Sequence, residues 1–287
     1  MKVIFFLACW KRPEITELCF MGLQRLMKHE KVQSLAFAVI SEESMIPLCE
    51  KYGIEYLLHD NIPVGKKKNA GIKEVLNKDF DYLIELGSDD LILDEIIDLY
   101  LPLMESGEDF FGCKRLLLVD STDGNCRDFF FDPDLVQGLG RCMSKKLLLE
   151  FSDRCLVKSD ESIFSDEFVV TEGEECILDK QNSELYEGLG ILKIFERNVY
   201  HLWDHIDRGL DNNSTGRIMR AGYKFKLVET SEALMADFKS DENIWGFNHE
   251  IGEKGNLELF LSKLSQAERS KFFSNMKLLK NKRLEVA

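Results

Sequence analysis

Residues 82–93 read YLIELGSDDLIL. Tyr82, Leu83, Ile84 and Leu86 crowd into the first five positions, the pattern of a strand buried on both faces. Asp89 and Asp90 follow side by side. In an open parallel sheet, ligands collect beyond the carboxyl ends of the strands. A buried strand that runs out into two adjacent carboxylates therefore predicts an α/β sheet with a site at its rim. An acidic turn leading into a helix has the same composition, so the flanking sequence has to decide.

Upstream, apolar runs alternate with amphipathic segments. VIFFLA (3–8), LAFAVI (35–40) and EYLLHD (55–60) have strand composition. Between them, Pro13 opens a segment with Ile15, Leu18, Cys19, Gly22 and Leu26 at helical spacing, and SEESMIPLCEKYG closes near Gly53. GKKKNAGIKEVLNKD supplies a third helix before the strand DYLIELG, and a fourth is expected over 94–106. This βαβαβαβ order predicts a mostly parallel central sheet flanked by helices. DFFGCKRLLLVD (109–120) reads as its fifth strand. Residues 121–140, rich in Asp, Gly and Phe, read as a long loop, and SKKLLLEF as a helix. The acidic stretch 158–190 has weak periodicity, and the tail from about 257 reads as an amphipathic helix.

The chain has 287 residues, 45% of them hydrophobic, which is ample for a core. Its 37 Lys and Arg against 51 Asp and Glu leave a net charge of −14, which works against capture of nucleic acid. The eight cysteines are dispersed, with no CxxC pair, so a structural zinc site is not expected and a reducing compartment is. VIFFLACW is short and runs into KRPE without a small-residue cleavage site. No apolar run approaches the roughly 20 residues of a membrane helix. A soluble, cytoplasmic protein is the expectation.

Paired carboxylates at a strand end suit a hard divalent cation held against a diphosphate. Just upstream, PVGKKKNAGI puts three lysines beside Asn69 at a helix start, where cations and backbone N–H groups both meet phosphate. At least one of those lysines belongs to a solvated face. His201 and His205 in HLWDH have the spacing of a zinc pair, but Leu202 replaces the glutamate of a zinc protease, so packing is the simpler role. Trp203, Trp245 and Phe247 suit a core better than a sugar platform.

KKKNAGI and ELGSDDLIL resemble the helix and the acidic strand end of the GT-A nucleotide-sugar glycosyltransferases, family 2 in particular, over about residues 3–230. One departure is Gly87, which stands where that pattern has the first aspartate of its D-x-D pair. The resemblance implies a GT-A, Rossmann-like catalytic domain over 1–250, with a nucleotide-binding half (1–120), an irregular acceptor-side half (121–250) and a C-terminal helical extension (251–287). It implies Mn²⁺ or Mg²⁺ on Asp89 and Asp90, and a nucleotide-sugar donor, UDP-linked by preference, against Ala8, Trp10, Arg12, Glu42, Glu43, Lys66, Lys68, Asn69 and Ser88. GLDNNSTGRIMRAGYKFKLVE (209–229) is similar to the segment that carries the general base, which falls on Asp211, with Leu210 where a glutamate is common. GLGRCMSKKLLLEF is similar to the acceptor-side loop and helix, with Arg141 reaching a phosphate or acceptor. His201, His205 or His249 would serve as a further metal ligand in some members.

Two other functions remain compatible with these residues. A sugar-phosphate nucleotidyltransferase uses a similar sheet, although ACWKRPE lacks the glycine-rich loop expected after its first strand. A GT-A-like binding or structural module without activity would explain both Gly87 and Leu210.

Overall fold

The computed structural model describes residues 1–130, 135–151, 202–203, 210–240, 247 and 252–286, together with the backbone of five short strands between 155 and 195. The expected alternation is present: β1 (Lys2–Cys9), α1 (Pro13–Leu26), β2 (Gln33–Ile40), α2 (Ile46–Tyr52), β3 (Glu55–Leu58), α3 (Val64–Leu76), β4 (Tyr82–Gly87), β5 (Asp90–Ile92) and α4 (Glu95–Glu105).

The double-sided apolar runs explain the layers. In β1, Val3, Phe5, Leu7 and Cys9 enter one core, while Ile4 and Phe6 enter the other. The first core also holds the apolar faces of α1, α2 and α4, and the second holds Ile72 and Val75 of α3. Gly71 sets how closely α3 lies on the sheet, since a Cβ there would come within 2.2 Å of Val39 and 2.8 Å of Phe6. That close seat fixes where the three lysines of α3 fall relative to the strand ends.

Beyond α4 the chain departs from the expected pattern. The run 109–120 is not one strand but two, β6 (Phe110–Cys113) and β7 (Arg115–Asp120), which lie in different sheets. FFGC and LLLV are each apolar enough for burial in either sheet, and the charged pair Lys114 and Arg115 between them is the local mark of the break. Residues 121–140, expected as a loop, contain β8 (Cys126–Phe130), a hairpin partner of β7. The segment 141–144, expected within a loop and helix, is β9 (Arg141–Ser144), and α5 (Lys145–Glu150) follows, capped by the Ser144 hydroxyl accepting from the Leu147 N–H.

β9 runs antiparallel between β4 and β6. The main sheet, with β15 (Lys226–Val228) at its edge, has the order β15-β6-β9-β4-β1-β2-β3 and is otherwise parallel. The chain crosses from β3 back over β1 to β4, which makes the β1–β4 crevice its topological switch point. Along 155–195 the backbone forms β10 (Cys155–Ser159), β11 (Ile163–Phe164), β12 (Val169–Val170), β13 (Glu175–Leu178) and β14 (Leu192–Phe195).

α6 (Leu210–Arg220) packs with α3 and α5 in the second core. β16 (Met235–Lys239) joins β5, β7, β8 and β17 (Glu253–Lys254) in a second sheet, pairing antiparallel with β5 and parallel with β7. The C-terminal helices α7 (Leu257–Ser262) and α8 (Gln266–Val286) share the core of α1, and α8 is tied to it by Lys271 on Glu17 and by the Asn275 amide on the Glu14 carbonyl. No helix among the described residues is long and apolar enough to cross a membrane.

Candidate active site

The exit of β1 is strained and held from several sides. Lys11 and Arg12 both have positive φ, 55° and 54°, which costs a non-glycine residue on the order of 1–3 kcal/mol. The Lys67 ammonium, with no exposed surface, donates to the Cys9 carbonyl, the Ser41 hydroxyl and the Asn61 side-chain oxygen, so one buried cation ties together the ends of β1 and β2 and the entry to α3. Burial pulls its pKa down to about 8. The Lys11 N–H donates to Glu42 at 3.3 Å. The turn aims Arg12 across the crevice, where its guanidinium donates to Asp89 at 2.8 Å and to the Ser88 hydroxyl at 3.1 Å.

Asp89 and Asp90 are joined there by Asp237, a residue that the sequence reading did not single out. One carboxylate oxygen from each lies within 4.8 Å of the others. Asp90 and Asp237 are directly opposite one another on β5 and β16, a like-charge cross-strand pair that destabilises a sheet unless something else requires it. Burial raises the Asp90 carboxyl well above the usual range, and the charges of Asp237 and Asp89 add to the rise. Burial also lifts Asp237 to about 6, even though Lys239 pairs with it. One Asp237 oxygen is buried without a hydrogen-bond partner.

Gly87 donates its N–H to Asp90, and a Cβ at this position would come within 2.7 Å of an Asp89 oxygen and 3.0 Å of an Asp90 oxygen. The Asp89 and Asp90 oxygens thus already fill the space that a side chain at this position would take, and β16 brings a third carboxylate from a distance of about 150 residues along the chain. An all-oxygen donor set, an unsatisfied buried carboxylate oxygen and two carboxylates gathered against a backbone that only glycine leaves room for fit a hard divalent cation such as Mn²⁺ or Mg²⁺.

A second group branches from the same strand two residues earlier. Glu85 of β4 accepts from Lys68 at 2.6 Å and from Arg141 at 2.8 Å. Arg141 continues to the Ser214 hydroxyl at 2.6 Å and to Asp211 at 2.9 Å. Desolvation pushes the Asp211 carboxyl up, but Arg141, Lys68 and the Gly138 N–H together outweigh it and leave the group below its ordinary range. Arg141 is the clearest correction to the sequence reading. Its guanidinium is 0% exposed and committed to internal partners, so it does not reach a phosphate or an acceptor. Asn69 is likewise turned inward, with its amide bonded to the backbone of Leu202 and Trp203.

Among the other expected residues, Ala8 lies beside Gly87 in the β1–β4 register, and Trp10 is half-buried under the Lys11 ammonium, 4.3 Å from the ring centre. Glu42 follows β2, and Glu43 and Lys66 are exposed. Trp203 is core, and Phe247 packs against the core. His201, His205, Trp245 and His249 lie outside the described residues. Sequence signals existed for two of the missed residues. Glu85 is a lone charge inside an apolar strand, and Lys67 is four residues before Gly71, on the helix face turned to the sheet. Nothing local distinguishes Asp237 or Lys239.

Strand order and acid placement define a doubly wound α/β sheet with its candidate site at the switch point. No family model matches the chain, and no curated protein matches it. Among solved structures it is similar to residues 1–349 of S. aureus TarS, with 11% identity, a TM-score of 0.48 and coverage of 96% of this chain and 70% of that one. It spans 43% of a longer TarS chain. It is also similar to the mannosyltransferase PcManGT from Pyrobaculum calidifontis, solved with GDP-Man and Mn²⁺ (9% identity, TM-score 0.47, 84% of this chain and 58% of that one). A third is the catalytic domain of Drosophila β1,4-galactosyltransferase 7 (10% identity, TM-score 0.45, 88% and 82%).

Proposed function

We propose that the protein is a divalent-metal-dependent glycosyltransferase that moves a sugar from a nucleoside diphosphate donor, UDP-linked by preference, to a hydroxyl acceptor. The observation that carries this reading is the meeting of Asp89, Asp90 and Asp237 beside Arg12 and Lys239 at the β1–β4 switch point, where an open α/β sheet receives a phosphate-bearing ligand. The three carboxylates would hold Mn²⁺ or Mg²⁺, whose contribution is to neutralise charge on the departing diphosphate. Arg12, with Lys66 and Lys68, faces the same phosphates. Ala8, Trp10, Glu42, Glu43 and Ser88 border the nucleoside. Asp211, ionised at neutral pH because its pKa lies below the usual range, takes the proton of the acceptor hydroxyl as that oxygen attacks the sugar.

Release of nucleoside diphosphate from a panel of UDP- and GDP-sugars with MnCl₂ tests the reading. Wild type is expected to turn over at least one donor, and Asp211→Asn to lose on the order of a hundredfold or more in kcat. Pyrophosphate release from a nucleoside triphosphate and a sugar phosphate would instead identify a nucleotidyltransferase. Nucleotide binding with no turnover would identify a binding module.

A further inference from the structure

We propose that Glu85 and Arg141 are positioning residues that set the place and the basicity of Asp211, and that they do so as the buried middle of a four-charge chain. The proposal rests on the reading of Asp211 as the base. The chain runs Lys68, Glu85, Arg141, Asp211 with alternating sign, and each member comes from a different element: α3, β4, β9 and α6. The formal charges cancel. The middle pair is sealed, with side chains 2% and 0% exposed, while the ends, Lys68 and Asp211, are 15% and 32% exposed. A buried ion pair is weak evidence for stability in itself. Here it has two partly buried termini of opposite sign, the sign that a leaving phosphate needs at one end and the sign that an acceptor proton needs at the other.

The geometry fixes Asp211 from two directions. Arg141 holds both its carboxylate and the Ser214 hydroxyl one turn later, so the first turn of α6 is clamped to the sheet rather than left to the helix end. Glu85 then limits how far Arg141 can neutralise Asp211, because the same guanidinium edge is shared at 2.7 Å with Glu85 and 2.9 Å with Asp211. The charged groups facing Asp211 are Arg141 from β9 and Lys68 from α3, with the Gly138 N–H as an added donor. Removing Glu85's charge turns Arg141 wholly toward Asp211 and makes it a weaker base. Removing Arg141 has the opposite effect and also frees the side chain.

The test is the carboxyl titration of Asp211, followed by ¹³C NMR and assigned with Asp211→Asn, alongside donor turnover. Glu85→Gln, which is isosteric, is expected to move the titration down. The paired replacement Glu85→Gln with Arg141→Met, which leaves no buried charge alone, is expected to move it up. Arg141→Lys, keeping the charge but not the fork, is expected to lower kcat on the order of tenfold to a hundredfold with little change in donor KM. A titration that stays put in Glu85→Gln, or an Arg141→Lys enzyme with wild-type kcat, overturns the proposal. The titration needs no activity, so failure of the positioning role is distinguishable from failure of the glycosyltransferase reading, which would show as absent turnover in wild type. Glu85→Gln alone carries the test if the paired variant does not fold.

Discussion

Asp237→Asn should stabilise the metal-free protein and abolish its response to Mn²⁺. In the folded chain the Asp237 carboxyl titrates at about 6 against an ordinary 3.8. Two pH units correspond to roughly 3 kcal/mol. Because the folded pKa is the higher one, the folded state keeps a proton that the unfolded chain loses between about pH 4 and pH 6. Stability from this group therefore falls as pH rises through that window, and the penalty is constant above it. Asparagine removes the penalty but takes a partner from Lys239, a loss of about 1–3 kcal/mol. The net expectation near neutral pH is a change between zero and a gain of about 2 kcal/mol, or up to several degrees in Tm. Wild type with Mn²⁺ at a hundred times its Kd gains about 2.7 kcal/mol by mass action, and the variant should gain little. Thermal unfolding in EDTA and in MnCl₂ reads both effects, and the wild-type Mn²⁺ shift should shrink near pH 5, where protons compete for the same oxygens. A variant that melts well below wild type in EDTA, or that rises as far with Mn²⁺, would refute the reasoning.

Gly87→Ala places a methyl 2.7 Å from Asp89 and 3.0 Å from Asp90. It should leave the fold intact but weaken Mn²⁺ binding by about tenfold, read by titration calorimetry. Gly71→Ala would push α3 off Val39 and Phe6 and should cost about 1–3 kcal/mol in urea unfolding. Lys67 has a folded pKa lowered to about 8 from 10.5, so the unfolded chain holds the extra proton between those values and wild-type stability gains as pH rises through them. Lys67→Met should lack that gain, and a stability difference between the two proteins that stays constant across this range counts against the buried ammonium. The same variant also frees the Cys9 carbonyl and should loosen the strained Lys11–Arg12 turn, raising donor KM.

Three of the first four parallel strands are legible because VIFFLA, LAFAVI and YLIEL bury both faces, and burial on both faces leaves a nearly continuous apolar run that chain-local reasoning detects. Asp89 and Asp90 are legible because the lysine-bearing helix just upstream tips a charged pair at the end of such a run away from a plain acidic turn. The rest depended on partners distant in sequence. The charged pair at 114 and 115 marks a break in the run 109–120, but which sheet each half joins depends on distant partners, as the Lys114 N–H on the Val228 carbonyl shows. RCMS becomes a strand only because β4 and β6 offer edges on both sides. Asp237 sits in MADFK, whose alternation places it opposite Asp90 only after β5 and β16 have found their register. Arg141 is legible as a cation but not as an inward-facing one, since nothing local in the sequence shows that Glu85 and Asp211 enclose it.

Electron paramagnetic resonance of Mn²⁺ added to the protein, with and without UDP, tests the acid cluster most directly. One bound Mn²⁺ per chain is expected, tightened by UDP and lost in Asp90→Asn and in Asp237→Asn. Mn²⁺ binding that survives both substitutions, or no binding even with UDP present, would contradict the placement of a catalytic cation between β5 and β16.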